Sequence, residues 1–148
     1  MFSVELGAEN AAECVMGGYT LGTTLVRPFE ETVRAVRSAL ESQGFGVLTE
    51  IDLQATMKKK LNVDVAPQVI LGACRPQLAY QALQLDPSIA TVLPCNVVVR
   101  AVGNDSTVVE AFDPAAMMGL SGDDGLDSVA TDARHRITAM LNALTEEN

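Results

Sequence analysis

Basic residues are scarce in this chain: 10 lysines and arginines stand against 19 acidic residues, for a net charge of −9. That sign is wrong for tracking a phosphate backbone or settling on an anionic bilayer, so neither nucleic acid nor membrane is an expected partner. Long hydrophobic runs are missing too. No segment approaches the roughly 18 consecutive apolar residues of a membrane span, and Met1–Asn10 lacks the basic and apolar regions of a secretory signal. The cytoplasm is the expected compartment. Histidine occurs once, as His135. It falls off the apolar stripe of the last predicted helix and reads as a solvated side chain, which leaves no Ser-His-Asp or Cys-His pair for hydrolytic chemistry. No G-x-G-x-x-G follows a strand, because Gly17-Gly18 precedes one and Gly44-x-Gly46 opens one, and the P-loop string is absent. Cysteine is limited to Cys14, Cys74 and Cys95. An odd number of thiols in a reducing compartment argues against a disulfide framework.

What is present suits one folded domain. The chain has 148 residues, 48% of them hydrophobic and 20% charged, enough to bury a core of its own. Residues 1–16 are small and polar without a period and read as an N-terminal arm, residues 17–119 as the core domain, and residues 120–148 as a linker and an amphipathic helix that packs on the core or on a partner subunit. Tyr19–Val26, rich in threonine and β-branched residues, predicts a strand that ends at Arg27-Pro28. Phe29, Val33, Val36 and Leu40 recur at helical spacing up to a stop at Gly44. From Gly44 to Asp52 the pattern alternates, with Phe45, Val47, Thr49 and Ile51 expected on one face and Gly46, Leu48, Glu50 and Asp52 on the other. A short helix over Leu53–Leu61 follows, with Asp52 as its cap and Lys58-Lys59-Lys60 as its solvated C-terminal turn.

Val69–Ala73 predicts an apolar strand stopping at Cys74-Arg75-Pro76, where proline opens a helix through Leu85. Val92–Ala101 and Thr107–Phe112 flank a glycine-containing turn and predict a β-hairpin. Leu126, Val129, Ala133, Ile137, Met140, Leu141 and Leu144 form one long helical stripe. The hairpin argues against a purely parallel sheet, and the expected fold class is α+β: two layers, a mostly antiparallel curved sheet of about five strands with helices on one face.

Three strings now stand in order: Gly44-Phe-Gly-Val-Leu-Thr-Glu-Ile-Asp52; Ile70-Leu-Gly-Ala-Cys74-Arg-Pro76 followed by Leu78-Ala-Tyr-Gln-Ala-Leu83; and Leu93-Pro-Cys-Asn-Val-Val-Val99. Together they resemble the prokaryotic family named domain of unknown function three-zero-two (DUF302), over about Gly17 to Met118, with the tail beyond Gly119 outside the resemblance. The resemblance implies a curved antiparallel sheet backed by helices, a dimeric assembly and no established activity from which a catalytic residue carries over. Where many relatives have asparagine between the cysteine and the proline, this chain has Arg75.

Chemistry rests mainly on the thiols. Cys74 precedes a helix N-terminus and adjoins Arg75, both of which favour a thiolate, so a lowered pKa is expected. If Cys95 lies on an adjacent strand end, the two could form a reversible disulfide; the bland alternative is a pair of small buried hydrophobes. Glu50, two residues from Asp52, is a candidate acid or base. The catalytic candidates are therefore Cys74, Cys95 and Glu50. The candidate ligand-binding set is Thr49, Glu50, Cys74, Arg75, Cys95 and Asn96, on the expectation that the strand ends converge. Zinc wants four Cys or His ligands, and no metal site or cofactor is expected. The expected function is a homodimeric module binding an unidentified small molecule, with thiol-dependent redox or sulfur handling through Cys74 and Cys95 as the alternative. Self-association through the final helix is a third possibility.

Overall fold

A computed structural model describes residues 15–16, 18–120 and 122–146. The arm up to Cys14 lies outside the described residues. Strand β1 (Val15–Met16) is a two-residue fragment. It is followed by β2 (Thr20–Leu25), α1 (Phe29–Ser42), β3 (Gly46–Asp52), α2 (Leu53–Leu61), β4 (Gln68–Cys74), α3 (Pro76–Leu85), a 3-10 segment (Pro87–Val92), β5 (Cys95–Ala101), β6 (Thr107–Phe112), a second 3-10 segment (Pro114–Met117) and α4 (Asp124–Glu146). The strands form one sheet in the order β1-β2-β6-β5-β4-β3, and every neighbouring pair is antiparallel. The fold is α+β: five full strands with β1 added at one edge. No described helix is long and apolar enough to cross a membrane.

One face of the sheet carries the core. Leu21 and Leu25 of β2, Val69 and Leu71 of β4, Val97 and Val99 of β5 and Val109 and Ala111 of β6 meet Val36 and Leu40 of α1 and Ile137, Met140, Leu141 and Leu144 of α4. Strand residues alternate faces, so every second position along β2, β4, β5 and β6 serves this core. The last helix is thus built into the domain: its apolar stripe is consumed within the chain rather than left for a partner. Arg134 of α4 donates from Nε to Asp113 Oδ1 at 3.0 Å, tying the helix to the turn after β6. Asp113 also caps that turn by accepting from the Ala115 N–H.

Strand β3 departs from simple alternation. The ladder to β4 shifts between Val47, opposite Ala73, and Thr49, opposite Gly72. This bulge inverts the remainder of the strand. Phe45 and Val47 join the core, whereas Thr49 and Ile51 lie on the opposite, outer face and Glu50 turns to the helical side. The uniform alternation expected for Phe45, Val47, Thr49 and Ile51 is corrected accordingly. Asp52 does cap α2, accepting from the Ala55 N–H at 2.9 Å, and Asn62 closes that helix in the left-handed region with φ 57°. The lysine run is exposed at the C-terminal turn.

A smaller apolar cluster sits beside the main core. Leu78 and Ala82 of α3, Ile89 of the 3-10 segment and Leu126, Val129 and Ala133 of α4 compose it, with Leu93 packed against them. Alanines at 82 and 133, where neighbouring turns carry leucine or valine, leave it incompletely filled.

Candidate functional site

Strand β4 ends and α3 begins at one point, because Pro76 at the first helical position forbids continuation of the strand ladder and presets the helical φ. Cys74 is the last residue of β4 and Arg75 the N-cap of α3. Directly across the ladder, Ala73 faces Cys95, the first residue of β5, and Cys74 is one position further along. Both cysteines line a shared cavity of about 40 Å³ that lies within the smaller apolar cluster. Space of that size holds about three waters, at roughly 10–15 Å³ each. Arg75 lines one side, Met117 another, and aliphatic side chains from α3, the 3-10 segment and α4 complete the wall.

Both thiols are free, and burial acts on each. It pushes the Cys74 thiol above its ordinary value. It pushes Cys95 further, from 9.0 to about 11, with the neighbouring Cys74 adding to the effect. The lowered pKa expected for Cys74 is therefore corrected. Desolvation disfavours the thiolate, and the Arg75 side chain is drawn elsewhere: it lies across Gly44, whose φ of +85° and missing Cβ leave room for the guanidinium Nε. That Nε is buried and has no hydrogen-bond acceptor. Among the described residues Arg75 forms no ion pair.

The other candidates are distributed around this point. Thr49 and Asn96 both stand opposite Gly72, from β3 and β5 respectively, so the three form a row across the outer face of the sheet. Thr49 and Asn96 are exposed, and neither lines the cavity. Gly72 is required there because a Cβ would collide with the Thr49 hydroxyl and come within 2.9 Å of Pro94. Glu50 lies on the helical side at the rim, exposed and paired with Arg37 of α1. The strand ends thus bring together Cys74, Arg75 and Cys95 but not Thr49, Glu50 or Asn96. His135 is exposed on α4. Met117 and the α4 wall were not singled out as site residues from sequence. Met117 lies more than 20 positions from Cys95 and carries no motif; the alanines on α3 and α4 were the available signal.

The architecture and the strings around the two cysteines agree with a family comparison. The model of the family described as Domain of unknown function DUF302 matches residues 21–144. The chain belongs to the DUF302 family. The match runs through most of α4, beyond the Gly119 limit drawn from the sequence strings, which accords with the helix being part of the core. Among solved structures, this DUF302 domain is similar to an uncharacterized conserved DUF302 protein from Bacillus stearothermophilus, with 28% identity, a TM-score of 0.76, and coverage of 84% of this chain and 96% of that one. No curated protein matches.

Proposed function

We propose that this DUF302 domain is a small-ligand-binding module whose site is the cavity walled by Cys74, Arg75, Cys95 and Met117. The observation carrying this reading is the unfilled space itself, about 40 Å³ walled in part by Cys74, Cys95 and Arg75; the Arg75 Nε, buried over Gly44 without an acceptor, adds a polar group whose unsatisfied state costs stability. Such a group is expected where a ligand completes the arrangement. The pair of thiols in one cavity also favours the runner-up, thiol redox or sulfur chemistry. Burial works against it, because protonated thiols are poor nucleophiles.

Xenon tests the reading, since it enters small apolar cavities without needing a polar partner. Under xenon pressure the backbone amides of residues 73–79 and 126–133 are expected to shift together, and Ala133→Leu is expected to remove the response. Absence of a response at those amides in the native chain means the space is closed, and the proposal falls.

Two further parts of the proposal concern context. The chain forms a homodimer, for which the β3 edge offers exposed Leu48 and Ile51 and, among the described residues, an unpaired strand side; sedimentation at micromolar concentration showing only monomer would remove this part. It works in the cytoplasm, where the reducing environment keeps Cys74 and Cys95 as thiols.

A further inference from the structure

The functional atoms around the cavity are all soft or cationic. Cys74 and Cys95 bring thiols, Met117 brings a thioether from the turn after β6, Arg75 brings a guanidinium, and among the described residues no carboxylate or imidazole lines the wall. This donor set discriminates among metals. Calcium and magnesium take oxygen ligands, and no side-chain oxygen is among the donors. Structural zinc and iron–sulfur clusters want four ligands, and no group of three or more His, Cys, Asp or Glu is gathered among the described residues. Thiolate and thioether sulfur select Cu(I), which is satisfied by few ligands.

Charge balance points the same way. An apolar enclosure tolerates little net charge. Two thiolates around a monovalent ion leave one negative charge, and Arg75, which lines the same cavity and extends from it over Gly44, supplies one positive charge in the wall. With a divalent ion the same groups would sum to a net positive charge.

We propose that the cavity binds a soft monovalent metal ion of the Cu(I) class, held by Cys74 and Cys95 as thiolates with Met117 as a third, weaker sulfur donor. This deepens the ligand-site reading above and rests on it. Binding is an exchange without redox change: two S–H bonds break, two Cu–S bonds form, two protons leave to solvent, and copper remains Cu(I). Arg75 is a positioning residue that compensates the charge of the complex without touching the metal.

The test uses the full-length chain with Cys14→Ser, reduced and oxygen-free, titrated with Cu(I) against the chromophoric chelator bicinchoninate. One copper per chain should be withdrawn from the chelator, with two protons released in weak buffer and a copper X-ray absorption spectrum showing sulfur neighbours only. Cys74→Ala and Cys95→Ala should each abolish withdrawal, and Met117→Leu should weaken it. Arg75→Gln should weaken it by about 10- to 100-fold, the range for an outer-shell partner, in a chain whose cooperative urea unfolding shows that it still folds. Failure of the folded Cys14→Ser chain to withdraw copper, or withdrawal that survives Cys95→Ala, overturns the proposal. If xenon enters the cavity and copper does not bind, the metal assignment fails while the ligand-site reading stands; if neither enters, both fall.

Discussion

Burial of Cys95 makes the metal-free domain sensitive to alkali in a defined window. The thiol is raised from 9.0 to about 11 in the folded chain, through desolvation first and the neighbouring Cys74 second. Below pH 9.0 the thiol is protonated in both folded and unfolded chains, and its contribution to stability is fully present. Above that point the unfolded chain releases the proton while the folded chain retains it, so stability falls by about 1.4 kcal/mol per pH unit. The decline ends as the folded thiol itself ionises near pH 11, for a total loss of about 3 kcal/mol. Urea unfolding of the reduced, metal-free chain through this window measures the loss, and Cys95→Ala run in parallel subtracts every contribution other than this thiol's. The variant starts less stable because a buried group has been shortened, but its curve should lack the step. Cys74→Ala should move the step toward lower pH, because one of the two causes is gone. Parallel loss of stability in the native chain and Cys95→Ala across the window would refute the reasoning.

Gly72→Ala places a methyl group against the Thr49 hydroxyl and Pro94 and should cost about 1–3 kcal/mol by overpacking; partial recovery in the Gly72→Ala, Thr49→Ala double variant would identify the collision as the cause, and no recovery would point to the backbone. Leu141 is fully buried in the main core, so Leu141→Ala should lower unfolding free energy by about 2–5 kcal/mol, whereas a change below that range would show that α4 is only loosely docked. Arg75→Met removes the buried unpaired N–H and should raise the urea midpoint of the unliganded chain, corresponding to a gain in unfolding free energy of about 1–3 kcal/mol if the full penalty of an unsatisfied group is relieved. A lowered midpoint would mean that the guanidinium is satisfied in solution.

Much of the architecture was legible because it is written in local periodicity. The helical stripe Phe29, Val33, Val36, Leu40, the hairpin around Gly103 and the seven-residue stripe of the last helix each depend on residues a few positions apart, and the structure contains α1, the β5–β6 pair and α4 where they point. Strand β3 was read less well. A bulge between Val47 and Thr49 leaves no compositional trace, since it arises from how β3 and β4 align rather than from either strand alone. One extra residue was enough to move Thr49 from the core side to the outer face and Glu50 from the outer face to the helical side.

The sequence by itself determined that the fold is α+β and the chain acidic, that it carries the strings of the DUF302 family, and that two thiols stand at strand ends near prolines. These properties follow from charge, spacing and the stereochemistry of individual residues. Only the tertiary structure decided that Cys74 and Cys95 share a cavity, that Met117 and α4 complete its wall, and that Arg75 lies over Gly44 without a partner. Those facts depend on contacts between segments distant in the chain. The protonation of the thiols was decided there as well. Helix dipole and neighbouring cation favour a thiolate locally, but desolvation depends on everything packed around the sulfur, and here it prevails.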